Sequence, residues 1–245
     1  MDTIGIVGGT GLDRIEGLEG AREERVTTPY GNPSAPLVHG RIGRQAVVFL
    51  ARHGADHTLA PHEIGYRANV WALRAAGVDT IVAVAAVGGI VEPPPPGGLC
   101  VPDQLIDYTH GRAVTFHEGA GAGVEHVDFT EPYTPALRAR LLAAADAAGV
   151  DAVDGGCYGA TQGPAAQTAA EIRRLERDGC TLVGMTGMPE AALARELGLA
   201  YACCAVVANR AAGKGEGPID AAAIRARLEQ GMADVRALLA ALAAA

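Results

Sequence analysis

The segment TIVAVAAVGGI, residues 80–90, decides the fold class, because it is a continuous run of small apolar side chains without a charge. Such a run is typical of a strand that is buried on both faces of an α/β sheet. The preceding segment PHEIGYRANVWALRAAG, residues 61–77, carries apolar residues at helical spacing and predicts a helix that ends at Gly77. A buried strand after an amphipathic helix indicates an α/β protein.

The rest of the chain mixes strands and helices without strict alternation. Strands are predicted at 3–7, 37–41, 45–50, 99–109, 156–163, 182–184 and 200–209. Helices are predicted at 134–149, 168–179, 189–198 and 219–245. The four prolines within 92–98 predict a rigid turn. We therefore expect an α/β fold: a single domain over residues 1–245, with a twisted mixed central β-sheet flanked by helices.

Composition excludes several classes of function. The chain has 245 residues, 49% of them hydrophobic, and contains no linker-like stretch, which fits one large domain. A net charge of −8 argues against a nucleic-acid surface and provides no basic patch for a membrane. The five cysteines form no CxxC, so reduced thiols are expected rather than a zinc site or a disulfide framework. The start of the chain resembles no leader, and a cytoplasmic protein is expected.

The glycine-rich turn GIVGGTGL, residues 5–12, follows the first predicted strand. It does not fit the dinucleotide pattern GxGxxG, because Arg14 stands where the third glycine would have to be. A turn of this kind with one hydroxyl, Thr10, can bind an anion through backbone N–H groups and the side chain. A plain tight turn is the alternative.

The segment ARHGADH, residues 51–57, places Arg52 and His53 directly after a strand. The planar guanidinium can donate two hydrogen bonds side by side to a phosphate or a carboxylate, and His53 adds a further hydrogen-bond donor. His53, His57 and His62 suggest a metal site, but they lie in a loop with glycine and proline and form no HExxH motif, so no metal is expected. The alternative for Arg52 is a surface salt bridge.

The segment VGMTGMPE, residues 183–190, places Met185 and Thr186 at a strand-to-helix junction. A hydroxyl here is an ordinary helix N-cap or a further contact to an anion. Thr10, Arg52 and Thr186 all fall near the C-terminal ends of strands, where α/β sheets bind ligands. Together they predict a site for a phosphate-sized anion without a metal.

The segments GGTGL, ARHG, YRANVWALRAAG and VGMTGMPEAALARELG, together with the AN that ends the last strand, resemble the trimeric purine nucleoside phosphorylase and methylthioadenosine phosphorylase family. The resemblance runs in order over nearly the whole chain. It implies the nucleoside phosphorylase fold and a homotrimer with sites near subunit boundaries. It also implies a pentosyltransferase in which orthophosphate attacks C1′ of a nucleoside and releases the base, with no cofactor.

The resemblance also assigns roles to single residues. Phosphate would be held by Thr10, Arg52, His53, Thr186 and the backbone at Ala86. Met185 would lie against the ribose, and Asn209 would face the base, so that Arg52, His53 and Asn209 are the catalytic candidates. His126 and Asp128 match a segment that borders the site from the neighbouring subunit.

Asn209 and Ala211 stand where members of this family that act on 6-aminopurines carry two carboxylates. A neutral amide can donate to O6 and also engage N7, whereas a 6-amino group finds fewer acceptors. Each mismatched buried polar group costs roughly 1–3 kcal/mol. Hypoxanthine is therefore the predicted base, and a strand-end turn residue is the alternative for Asn209.

The start of the last helix predicts the 5′ substituent. Ile219, Ala221 and Ile224 lie in a stretch that has no histidine to pair with a 5′-hydroxyl. An apolar pocket favours a methylthio group, since a buried unpaired hydroxyl is penalised. The predicted substrate is 5′-methylthioinosine. A methylthioadenosine or general purine nucleoside phosphorylase and a non-catalytic nucleoside-binding protein are the alternatives.

Three positions depart from the family pattern. Ala85 stands where a threonine or asparagine commonly assists the phosphate or sugar. Ala166 replaces a bulky residue that packs against the base or sugar. Gln167 stands where 6-oxopurine enzymes often carry a glutamate that accepts from N1–H, and its carbonyl oxygen can still accept. Each change is expected to weaken binding rather than abolish the chemistry.

Overall fold

A computed structural model describes residues 2–15, 17–119, 123–215 and 221–245. Within these ranges the chain forms eleven strands and five helices. The strands are β1 Thr3–Gly8, β2 Glu19–Glu24, β3 Leu37–Ile42, β4 Gln45–Ala51, β5 Val78–Gly89, β6 Leu99–Val101, β7 Gln104–Asp107, β8 Ala152–Asp154, β9 Cys157–Ala160, β10 Leu182–Gly184 and β11 Ala200–Arg210. The helices are α1 Tyr66–Ala75, α2 Pro135–Ala148, α3 Ala169–Arg177, α4 Gly187–Glu196 and α5 Ala221–Ala244.

The strands form one mixed sheet, which confirms the predicted fold class. β4, β1, β5 and β11 are neighbours in this order and run parallel, so their carboxyl ends meet at one edge of the sheet. β10 runs antiparallel to β5 and pairs with its last two residues. The first residues of β10 therefore lie beside the end of β5, and its own end points back along that strand.

The predicted central strand is buried on both faces. Along β5, Ile81, Ala83 and Ala85 belong to a core that includes residues of α1 and α4. The intervening Val82 and Val84 belong to a second core, built with α2 and α5. The alternation of β5 side chains between two helical layers explains why the sequence shows a continuous apolar run rather than a period of two.

Several element boundaries differ from the sequence prediction. The strand expected at 99–109 is divided into β6 and β7 around Pro102, which has no N–H for the sheet. β2 was not predicted because its sequence EGAREE is charged and almost fully exposed at the edge of the sheet. The short strand β8 was not predicted either. α1 begins at Tyr66, after turns, and α5 begins at Ala221, while Ile219 lies outside the described residues.

Candidate active site

A cavity of about 350 Å³ lies at the edge of the sheet where the parallel strands end. It is lined by twelve of the residues that the sequence predicted: Thr10, Arg52, His53, Ala85, Ala86, Ala166, Gln167, Met185, Thr186, Asn209, Ala211 and Ile224. These residues come from five strand ends, one loop and the last helix. The structure thus gathers side chains that are spread over most of the sequence.

Three predicted residues, His126, Asp128 and Ala221, are not placed in this cavity. His126 is exposed and does not belong to the cavity lining, so its contribution to a neighbouring subunit's site stays a prediction. Ala221 begins α5, but its side chain lies outside the described residues. Asp128 is exposed and accepts a hydrogen bond from the Thr130 backbone N–H at 2.9 Å.

The turn after β1 is shaped by close backbone approach. A Cβ at Gly9 would lie 2.6 Å from the Val84 carbonyl oxygen and 3.0 Å from Nη1 of Arg52, so only glycine fits there. The Leu12 N–H donates to the Gly9 carbonyl at 2.9 Å and closes the turn. Thr10 is thereby presented at the cavity, with its Oγ1 at 3.4 Å from Nε2 of His57.

Arg52 is held in the interior by a carboxylate that the sequence did not identify. Its Nε donates to Oε2 of Glu190 at 2.7 Å and its Nη2 donates to Oε1 at 2.9 Å. Tyr201 donates to the same Oε1 at 2.9 Å, and both charged side chains are 1% exposed. The bidentate geometry fixes the plane of the guanidinium. The surface salt bridge considered for Arg52 is excluded.

The guanidinium of Arg52 keeps hydrogen-bonding capacity for a ligand. It carries five N–H groups, of which Glu190 takes two, and Nη1 donates a third to the Val84 carbonyl at 3.1 Å. One N–H therefore remains on each terminal nitrogen, in a residue that lines the cavity. Burial alone would lower the pKa of Arg52, but the Glu190 carboxylate outweighs it and raises the pKa above its usual value. Arg52 therefore carries a fixed positive charge that is paired with the Glu190 carboxylate.

His53 is a neutral ring with a defined tautomer. Its Nδ1 lies 2.9 Å from the Leu59 carbonyl oxygen, which can only accept, so Nδ1 carries the proton. Burial lowers the pKa of His53, and the charge of Arg52 lowers it further, against the Leu59 hydrogen bond. The remaining nitrogen, Nε2, is then an acceptor, whereas the sequence suggested a donor.

Met185 and Thr186 follow β10, as predicted. Thr186 is the N-cap of α4, but its side chain makes no capping hydrogen bond, so the ordinary cap interpretation is not realised. Thr186 is 7% exposed and lines the cavity. Arg112, which no sequence pattern indicated, holds this junction by donating to the backbone carbonyl of Met185 at 2.9 Å and to the backbone carbonyl of Gln162 at 2.8 Å.

Asn209 is turned toward the cavity by a β-bulge. Val207 of β11 lies opposite Val87, yet Asn209 lies opposite Gly88, so Ala208 is an extra residue in β11. Nδ2 of Asn209 donates one hydrogen bond to the Arg210 carbonyl at 2.6 Å. The second N–H and the Oδ1 of the amide remain for a ligand. The bulge explains how a strand residue can face a site at the end of the sheet.

Two features that bear on other kinds of function are absent from residues 2–15, 17–119, 123–215 and 221–245. No helix there has both the length and the apolar character that crossing a membrane requires. In the same ranges, no group of three or more His, Cys, Asp or Glu side chains is arranged to hold a metal ion.

Comparison with known proteins identifies the class. The family model described as the phosphorylase superfamily matches residues 3–244. The chain belongs to this superfamily, as the sequence resemblance predicted.

The relatives of this chain carry the names of phosphorylases for different nucleosides. A "Probable S-methyl-5′-thioinosine phosphorylase" of Pseudomonas syringae pv. tomato is 52% identical over 240 residues, 98% of each chain. A "6-oxopurine nucleoside phosphorylase" of Pyrococcus furiosus is 46% identical over 87% of this chain and 81% of its own length. Among solved structures, the methylthioadenosine phosphorylase from Schistosoma mansoni in complex with tubercidin has a TM-score of 0.92 at 32% identity. The match covers 100% of this chain and 91% of that one.

Proposed function

We propose that this protein is an S-methyl-5′-thioinosine phosphorylase, a pentosyltransferase that converts S-methyl-5′-thioinosine and phosphate into hypoxanthine and 5-methylthioribose 1-phosphate. One observation carries this proposal: a single cavity combines the fixed cation Arg52, two neutral amides, Asn209 and Gln167, and apolar side chains of α5. The guanidinium of Arg52 can bind phosphate, the two amides can hydrogen-bond to a 6-oxopurine, and the apolar side chains of α5 can pack against a methylthio group. The name of the relative from Pseudomonas syringae supports the same substrate.

Arg52 and its neighbours would bind the phosphate. The two free N–H groups of the guanidinium donate to phosphate oxygens, and the hydroxyls of Thr10 and Thr186 add two donors. The neutral His53 accepts through Nε2 from the one protonated oxygen of monohydrogen phosphate. Ala85 has no polar side-chain atom, and only the backbone of β5, including Ala86, can contribute there. This set needs no metal, and we propose that phosphate is a co-substrate and that no cofactor takes part.

The chemistry follows from where charge develops. Breaking the glycosidic bond builds positive charge on the sugar and negative charge on the leaving purine. A phosphate dianion held beside C1′ stabilises the first. Asn209 stabilises the second, because its free N–H can donate to O6 and, once N7 of the leaving base has taken a proton from water, its Oδ1 can accept from N7–H.

The apolar side chains of α5 would select the 5′ substituent. Ile224 and Leu228 line the cavity from this helix, and Leu228 is 8% exposed. Neither can pair with a hydroxyl, so a 5′-hydroxyl would lose its hydrogen bonds to water without compensation. A methylthio group would bury apolar surface at the same place.

Phosphorolysis of three nucleosides tests this proposal. The purified protein is assayed with methylthioinosine, methylthioadenosine and inosine, with and without phosphate, by measuring the released base. We expect phosphate-dependent release of hypoxanthine from methylthioinosine at the highest kcat/KM. A preference for methylthioadenosine would contradict the role of Asn209. If none of the three nucleosides releases its base in the presence of phosphate, the protein is a non-catalytic nucleoside-binding protein.

Asn209→Asp should shift the base preference toward adenine. A carboxylate accepts from a 6-amino group but cannot donate to O6, so the ratio of kcat/KM for methylthioinosine over methylthioadenosine should fall by about tenfold or more. Asn209→Ala is the matched control, because it removes the amide without adding an acceptor. It should lower both activities and leave the ratio nearer to that of the unmodified protein. An unchanged ratio in Asn209→Asp would show that this residue does not contact the base.

Assembly and location are also proposals. We propose a homotrimer of one-domain chains in the cytoplasm, with His126 near the site of a neighbouring subunit. The cavity supports the one-domain organisation, because its lining runs from Gly9 to Leu228 without a division of the sheet.

A further inference from the structure

The amide of Gln167 is oriented by a short chain of hydrogen bonds. Its Nε2 lies 2.8 Å from Oγ1 of Thr161, and that hydroxyl lies 3.1 Å from the Gly184 carbonyl oxygen. A carbonyl oxygen can only accept, so in this arrangement the Thr161 hydroxyl donates its single proton to Gly184. With its proton placed there, the hydroxyl oxygen accepts from Gln167, and the amide turns Nε2 toward it.

This orientation leaves a defined atom for a ligand. Gln167 is half-buried and lines the cavity, and none of the hydrogen bonds seen among the described residues ends on its Oε1. Thr161 is 8% exposed, so water competes little for its hydroxyl. Turning the amide over would require the Thr161 hydroxyl to give up its hydrogen bond to the Gly184 carbonyl and donate to Oε1 instead, and this loss disfavours the turned amide. In this orientation Gln167 has its acceptor Oε1, and not its donor Nε2, available to a ligand in the cavity.

We infer that Thr161 is a positioning residue that sets base specificity by holding the Oε1 of Gln167 toward the purine N1. This inference rests on the proposed function and adds a second selection point beside Asn209. A 6-oxopurine carries a proton on N1 and donates to Oε1. Adenine carries a lone pair on N1, which would face the lone pairs of Oε1 and could be accepted only if the amide turned over.

The test measures base binding, so that it does not depend on turnover. Hypoxanthine and adenine are titrated calorimetrically into the protein with saturating phosphate, and the ratio of the two dissociation constants is compared between variants. Thr161→Val keeps the shape but removes the hydroxyl, and the preference for hypoxanthine should fall by about tenfold. The Gly184 carbonyl stays paired in this variant, because it also accepts from the Thr161 backbone N–H at 2.8 Å.

Two matched variants separate orientation from packing. Thr161→Ser keeps the hydroxyl and should preserve the ratio within about twofold. In a Gln167→Glu background both carboxylate oxygens accept, so Thr161→Val should then change the ratio by less than about twofold. Affinity for phosphate should be the same in all variants, which a general loss of structure would not produce.

The possible outcomes are distinct. If the unmodified protein prefers hypoxanthine and Thr161→Val keeps that preference, the positioning role is wrong while the proposed function stands. If Thr161→Ser loses the preference as fully as Thr161→Val, the hydroxyl is not the determinant and the inference also fails. If the unmodified protein prefers adenine, the proposed substrate itself is wrong.

Discussion

Phosphorolysis should fall by about a hundred- to a thousandfold when Arg52 is replaced with lysine, the range seen when one preorganised charge stabiliser is removed. Lysine keeps the positive charge, but an ammonium group cannot bind both oxygens of Glu190 side by side and also keep two further donors for the cavity. The loss should appear mainly as a higher KM for phosphate and a lower kcat. Steady-state kinetics with varied phosphate measures both.

The same substitution at an exposed arginine is the control for Arg52→Lys. Arg74 forms an exposed pair with Asp79, at 3.4 Å, with both side chains about half exposed. Arg74→Lys should leave the kinetics and the thermal midpoint close to those of the unmodified protein. If Arg52→Lys folds and retains activity within about tenfold, the guanidinium of Arg52 does not bind the phosphate through two hydrogen bonds.

Replacing Glu190 with alanine should destabilise the fold by about 3–5 kcal/mol, because it leaves the buried Arg52 charge without its partner. Arg52 and Glu190 are each 1% exposed, so solvent cannot replace the lost ion pair. Urea unfolding followed by circular dichroism gives the free energy of unfolding. Asp79→Ala, which removes the exposed carboxylate beside Arg74, should cost less than about 1 kcal/mol.

A double variant distinguishes the two roles of this ion pair. Replacing both Arg52 and Glu190 with methionine removes the unpaired charge and should restore much of the stability that Glu190→Ala loses. It should remain inactive, since no cation is left for the phosphate. A cost below about 1 kcal/mol for Glu190→Ala would show that the pair is not buried as described.

The sequence predicted which residues line the cavity better than it predicted the contacts that hold those residues in place. Thr10 and Arg52 could be placed together because each follows a strand, and the parallel strands β1 and β4 bring such positions to one edge. Thr186 follows β10, which runs antiparallel to β5, and it reaches the same cavity because β10 pairs with the last residues of β5. Glu190 was missed because its partner is 138 residues away in the chain. An acidic residue in a first helical turn already has a local explanation in the helix dipole, so no signal pointed to a distant arginine.

Other differences have similar physical causes. The strand β2 was invisible because a charged edge strand is defined by backbone pairing and not by apolar side chains. The bulge that turns Asn209 depends on the register between β11 and β5, which no local pattern records. The protonation of His53 depends on the Leu59 carbonyl six residues further on, a contact made by the fold of a loop.

A crystal structure with phosphate and hypoxanthine tests the central claim most directly. We expect phosphate oxygens within hydrogen-bond distance of both terminal nitrogens of Arg52, with hypoxanthine N7 and O6 at Asn209 and N1 at Oε1 of Gln167. A phosphate bound elsewhere while Arg52 stays paired only with Glu190, or a base that meets neither amide, would contradict the account.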